Sequence, residues 1–290
     1  MLLGGVCWHP QAMLYQVFPP SQSLAPFMDS YFVLEGNPWE GYQRVKLTPS
    51  GSSGIIVQYG DLLRFDNGVH RNEVLSESFV FGQLRKYAFL EASGALKMLG
   101  VHFKPTGFHR LFGIPMGPFT DRGVDAERVL GSAAAYLADA VREAGDAPAR
   151  AAVVEGFLLR FLRRGPLAES ATDSAVRLII SHRGNLSISR LAQALQVSSR
   201  TLERKFVDEV GILPKMFASI IRFNAMLDSR QTAHNSWLDV AYAGGYCDQS
   251  HLIRQVRLFC GEVPSQLLTG NTDDLPTLIQ RSYHHHLDAL

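Results

Sequence analysis

Gly211-Ile212-Leu213-Pro214 recurs as Gly261-Glu262-Val263-Pro264, 50 positions further along the chain. The same offset relates Leu202 to Leu252, Arg204 to Arg254 and Phe206 to Val256, while Leu191-Ala192 corresponds to Val240-Ala241 at an offset of 49. A repeat of this length means one supersecondary unit present twice. In the first copy Ser187 is a candidate N-cap, and Ile188, Leu191, Ala192 and Leu195 follow at i, i+3, i+4 and i+7, the stripe of an amphipathic helix. Ser198 can cap a second helix, with Leu202, Phe206 and Val210 on its inner face. In the second copy Ser236 and Asp239 form a capping-box pattern, and Trp237, Val240 and Ala241 face inward. Gly244-Gly245 permits a tight turn, and Asp248 caps a helix whose Leu252, Val256 and Phe259 face inward. A helix from Lys215 to about Gln231 joins the copies.

The inward positions leave a second face on each later helix. In the first copy it carries Arg200, Glu203, Arg204 and Val207; in the second, Gln249, Ser250, His251, Arg254 and Arg257. Guanidinium forks suit bidentate contact with guanine edges and with phosphate. Two short helices joined by a tight turn, the second with a polar, arginine-bearing outer face, describe a helix-turn-helix. An arginine-bearing helix face is usually just solvated. The duplicated scaffold lifts this pair of faces above that reading.

Upstream the periodicity changes. Residues 1–28 contain no Asp, Glu, Lys or Arg but include Pro10, Pro19, Pro20 and Pro26, which reads as an extended entry with a strand near Leu14–Phe18. From about 31 to 104 the period is two. Ile55, Val57 and Tyr59 alternate with Ile56 and Gln58, and Leu99, Val101 and Phe103 with Gly100, His102 and Lys104. Asp66-Asn67-Gly68 signals a hairpin, because Asn-Gly tolerates positive φ. A mainly antiparallel β domain is expected. From about 124 to 164 helical spacing returns in Leu130, Ala134, Leu137 and Val141, then in Val154, Leu158, Phe161 and Leu162. Residues 145–148 and Gly165-Pro166 punctuate this helical hairpin.

The fold class is therefore α+β in two domains: an antiparallel β domain over 1–120, a helical hairpin and linker over 121–169, an all-α double helix-turn-helix over 170–270, and a tail over 271–290. The chain has 290 residues, 46% hydrophobic and 19% charged, with a net charge of +1, which argues against an intrinsically disordered chain, since that needs low hydrophobicity and high net charge, and offers no bulk electrostatic case for nucleic acid. Residues 170–270, however, carry 11 basic and 8 acidic side chains. Cys7, Cys247 and Cys260 are sparse and form no CxxC pair, the usage of a reducing compartment. No apolar run is long enough to span a bilayer, so the expected location is the cytoplasm, with no membrane partner.

The string from Ile188 to Leu268 resembles the double helix-turn-helix domain of AraC-type (AraC/XylS) transcription regulators. The matching pieces are Leu191-Ala192, the run from Ser198 to Phe206, Gly211, Pro214, the linker run from Arg222 to Leu227, and Val240-Ala241 through Gly245-Tyr246-Cys247-Asp248-Gln249-Ser250-His251 to Gly261 and Pro264. Phe79-Val80-Phe81-Gly82-Gln83 and the run from Gly100 to Gly107 are similar to the N-terminal domain of one subgroup, which implies a cupin-like sensor or assembly module of uncharacterised function. The resemblance implies a sequence-specific DNA-binding regulator reading adjacent major-groove segments of double-stranded DNA, and not an enzyme. The implied DNA-binding residues are Ser199, Arg200, Glu203, Arg204 and Lys205, then Gln249, Ser250, His251, Arg254 and Arg257. Lys205 and Arg257 suit phosphate, and Glu203 a cytosine amino group. Gln196 departs from the pattern where the family usually has Gly, and Leu252 and Val256 replace aromatics.

RNA polymerase, a small-molecule effector at the N-terminal domain and a second copy of the chain are candidate partners; no cofactor and no metal are expected. The rival class is a metal-dependent cupin-like enzyme with a helical appendix. His70, His102 and His109 form no HxH pair and read better as packing or surface residues; His284-His285-His286 reads as a solvated tail. A helical protein–protein adaptor is a third reading. Neither a P-loop, a GxGxxG nor a GxSxG elbow occurs. Tyr31, Phe32, Tyr59, Phe65, Phe81, Tyr87 and Phe89 could line an apolar pocket but read as core.

Overall fold

The computed structural model describes residues 13–36, 43–92, 94–162, 167–232, 244–246 and 248–263. The N-terminal part is built from two antiparallel sheets. The first has the order β1-β2-β9-β4-β7-β10, from Met13–Phe18, Met28–Gly36, Leu96–Phe103, Ser53–Gln58, Ser78–Phe81 and Gly123–Asp125. The second has the order β3-β8-β5-β6, from Gln43–Leu47, Ala88–Ala92, Arg64–Asp66 and Glu73–Val74.

Side-chain alternation sorts the large sheet into two cores. Phe32, Ile56, Phe79 and Met98 point between the sheets, where they meet Leu63, Phe65 and Ala88. Tyr31, Val33, Ile55, Val57, Leu99 and Val101 point the other way, onto helices. The helical cover is α1 (Gly107–Phe112), α2 (Ala126–Leu130), α3 (Leu137–Glu143) and α4 (Ala147–Leu162). Every residue of β4 is buried, because both faces of this central strand are covered. Gln58 tolerates that burial because its Nε2 donates to Ser76 O at 2.8 Å and its Oε1 accepts from Leu63 N at 2.9 Å.

Two local expectations are refined. Asp66-Asn67-Gly68 does open the connection from β5 to β6, with Gly68 at φ +81°. The turn is longer than a two-residue hairpin, however, because Asn67 Oδ1 accepts from both Val69 N and His70 N. The stripe Leu130, Ala134, Leu137 and Val141 is buried as read, but it is not one helix. Gly131, at φ 81° and ψ −175°, separates α2 from a 3-10 turn at Ser132–Ala134 that precedes α3.

The C-terminal part is helical: α5 (Ala171–Ser181), α6 (Ile188–Ala194), α7 (Ser199–Glu209), α8 (Pro214–Thr232) and α9 (Gln249–Cys260). They share one core. Ile179 of α5, Leu191 of α6, Phe206 of α7, Phe217, Ile220 and Phe223 of α8, and Leu252, Val256 and Phe259 of α9 all belong to it. Ser236, Trp237, Asp239, Val240, Ala241, Cys7, Cys247 and the tail with its three histidines lie outside the described residues. Among the described residues no single helix is long and apolar enough to cross a membrane.

Glycines let the large sheet accept aromatic rings. A Cβ on Gly54 would stand 2.3 Å from the Val101 carbonyl oxygen and 2.5 Å from the Phe81 ring. Neither the neighbouring strand nor the partly buried ring can retreat freely. Gly54→Ala should therefore cost about 1–3 kcal/mol of stability, read as a lower denaturant midpoint at unchanged slope. An unshifted midpoint would contradict this packing.

Candidate nucleic-acid interface

The first unit is α6 and α7. Ser187 caps α6, its hydroxyl accepting from Arg190 N. Ser198 caps α7, accepting from Thr201 N at 3.1 Å. Between them the chain turns through a Schellman arrangement: Val197 N donates to Ala192 O at 3.0 Å and Gln196 N to Gln193 O at 3.0 Å. The residue in the left-handed region is Gln196, at φ +56°. This is the position where the resembled family has glycine, so the geometry is kept and the side chain bears the strain.

The second unit ends in α9. Asp248 caps it, its Oδ1 accepting from His251 N at 2.7 Å, and Gly261 closes it in the left-handed region at φ +74° with its N donating to Arg257 O. Gly245, at φ +72°, lies so close to Asn185 that a Cβ would meet Asn185 Oδ1 at 2.1 Å. The turn of the second unit therefore sits on the loop between α5 and α6. Tyr246 is buried beside it, and Arg222 reaches over its ring at 5.8 Å while donating to Gly184 O at 2.9 Å.

The ten sequence-predicted residues fall on these two helices. Ser199, Arg200, Glu203 and Arg204 are exposed along α7, and Lys205 is half-buried. Gln249, Ser250, Arg254 and Arg257 are exposed along α9. Among the described residues, none of the arginines 200, 204, 254 and 257 has an ion-pair or hydrogen-bond partner. His251 differs from the expected outward position. It is half-buried and meets the Tyr246 ring edge-on, with centroids 5.4 Å apart, because the turn brings a buried aromatic beneath the first turn of α9. Opposite these polar faces, Leu202 and Phe206 on α7 and Leu252, Val256 and Phe259 on α9 are at most 1% exposed.

His70, His102 and His109 have separate surroundings. His70 pairs with Glu73 at 3.0 Å, His109 Nδ1 meets Ile114 O at 3.0 Å, and the His102 ring packs on Phe32 with centroids 4.7 Å apart.

Residues 191–270 match a family model described as a helix-turn-helix domain. The C-terminal helices therefore belong to a helix-turn-helix domain. Residues 16–125 match a domain of unknown function. No curated protein matches the chain in sequence. Among solved structures, ToxT from Vibrio cholerae is 10% identical at a TM-score of 0.44, covering 89% of this chain and 100% of that one. ToxT with a bound unsaturated fatty acid is 11% identical at 0.43, covering 93% and 100%. The AraC-like transcriptional activator CuxR is 12% identical at 0.24, covering 74% and 86%.

Two outcomes follow from this helix-turn-helix domain. Gln196→Gly relieves the left-handed side chain and should raise stability by ~0.5–1 kcal/mol, after the entropy that glycine gains in the unfolded chain; a lowered thermal midpoint would contradict it. Burial of the Cys260 thiol, reinforced by Glu262 and opposed by Lys46, pushes its pKa up to about 12. The reactive thiolate is thus scarce at pH 8. Peptide mapping after iodoacetamide treatment of native protein should find Cys260 unmodified, and modified only after denaturation.

Proposed function

We propose that this chain is a sequence-specific transcription regulator that lays α7 and α9 in adjacent major-groove segments of one DNA duplex. The supporting observation is the duplicated scaffold, which presents Arg204 and Arg254 at equivalent, exposed positions without an ion-pair or hydrogen-bond partner among the described residues. Helix-turn-helix units read bases from the N-terminal half of the second helix. That half carries Ser199, Arg200, Glu203 and Arg204 in one unit and Gln249, Ser250, His251 and Arg254 in the other. Lys205 and Arg257 are assigned to phosphate, which positions the protein without specifying sequence.

The N-terminal domain, with its two antiparallel sheets, is assigned a cupin-like role in sensing or assembly; the domain limits are 1–120, 121–169, 170–270 and 271–290. A half-open cleft of about 290 Å³ is the candidate place for a small-molecule effector. Its walls include Leu111, Phe112, Ile114, Val129 and Phe161, with Arg110 at one side. A second copy of the chain and RNA polymerase are the protein partners, and the compartment is the cytoplasm. The protein acts through binding and not as an enzyme.

Selection from a random duplex pool at two salt concentrations tests the reading. One enriched site with two conserved blocks is expected. On that site Arg204→Ala and Arg254→Ala should each cost ~1–3 kcal/mol and relax preference in one block. Salt-sensitive binding that enriches no sequence would mean phosphate contact alone and would overturn it.

A further inference from the structure

Gly211 and Gly261, the equivalent glycines of the two repeats, both terminate reading helices in the left-handed region, at φ +99° and +74°. Both also abut the β domain. Gly211 O accepts from Thr120 Oγ1 at 2.6 Å, and a Cβ on Gly211 would meet Met116 O at 3.1 Å. One residue earlier than the α7 C-terminus, Asp208 O accepts from Met116 N at 2.7 Å. A Cβ on Gly261 would meet the Tyr87 ring at 2.7 Å, and the adjacent Glu262 pairs with Lys46. Between these points the loop before β4 sits on α8. Asn224 Nδ2 donates to Pro49 O at 3.2 Å and to Ser50 O at 3.3 Å, and Gly51, at φ +87°, packs on Phe217 and Ile221.

The β domain therefore touches the C-terminal end of each reading helix and the helix that joins the two units. These contacts leave the N-terminal halves of α7 and α9 exposed. We propose that the β domain is the template that sets the orientation of one reading helix relative to the other, with Thr120, Tyr87 and Lys46 as positioning residues for DNA recognition. This rests on the DNA-reading role proposed above. Its physical consequence is specificity for the spacing between two DNA blocks. Two units held rigidly engage one spacing with the ordering already present, whereas two units free to swivel engage several spacings, each more weakly.

The test uses the full chain and the duplex it selects from a random pool, alongside the same duplex with two base pairs inserted between the blocks. The native chain should prefer its own spacing by ~10-fold or more. The triple variant Thr120→Val, Tyr87→Ala, Lys46→Glu should bind the selected duplex ~3–10-fold more weakly and narrow that preference to within ~3-fold. Hydrogen exchange at 208–211 and 260–262 should rise in the same variant. A general loss of folding would weaken both duplexes alike and leave their ratio intact, which separates the two effects. Milder variants keep the test decisive: Thr120→Ser retains the donor and should keep the native ratio, and Glu262→Lys should restore part of what Lys46→Glu removes. An unchanged ratio with exchange raised at 208–211 and 260–262 but not in the rest of the chain overturns the template. So does unchanged exchange, since these contacts would not then hold the domains together, and so does tighter binding of the variant, which would make the β domain an inhibitory clamp. If the native chain enriches no duplex, the DNA-reading role itself fails; if it does and the ratio holds in the variant, only the template falls.

Discussion

Leu202 and Phe206 of α7 and Leu252, Val256 and Phe259 of α9 enter one apolar core whose centre is α8. Phe206 packs on Phe217 with ring centroids 5.5 Å apart, and Phe259 on Phe223 at 5.2 Å. The two aromatic pairs sit on one helix, six residues apart in sequence. α8 thus carries α7 near its start and α9 near its middle, and neither helix can bury its apolar stripe without it. Isolated helices of this length are marginal in water, so the shared core is what keeps α7 and α9 folded with their polar faces outward. Truncating such a ring would leave a cavity costing on the order of 3–5 kcal/mol, a large share of a small domain's stability.

The domain junction adds a second constraint through polar groups. The capping box of α5 is where it concentrates. Asp173 is buried, accepting from Ser170 N at 2.7 Å through one oxygen and from Thr106 Oγ1 at 2.6 Å through the other. Arg110 stands 3.6 Å from the same carboxylate. Ser170 Oγ in turn donates to the buried Glu209 at the end of α7 at 2.5 Å. A single cap thus ties α1 of the β domain, the entry to the helical domain and the C-terminal end of α7. Buried charges need such partners, since an unpaired one is costly.

Much of this was legible in the sequence, and the physical reason differs by element. The helical stripes and caps of α6, α7 and α9 are local properties, set by spacing and by Ser187, Ser198 and Asp248, so they could be read without tertiary knowledge. The 50-residue repeat located both arginine-bearing faces for the same reason. His251 was placed fully outward because its contact with Tyr246 depends on how a turn folds back. The single helix expected through Leu130 and Val141 failed at Gly131, where an apolar spacing survives a broken backbone. The double burial of β4 showed only as continuous hydrophobicity. The meeting of Gly211 with Thr120 and of Gly261 with Tyr87 leaves no trace in either segment alone, because each glycine is already explained by its helix end.

Guanine N7 methylation protection, on the duplex enriched by the native chain, tests most directly whether two units read one DNA face. Two protected clusters about one helical turn apart, ~34 Å, both on the same face, are expected. A single protected cluster, or protection on opposite faces, would contradict tandem reading by α7 and α9.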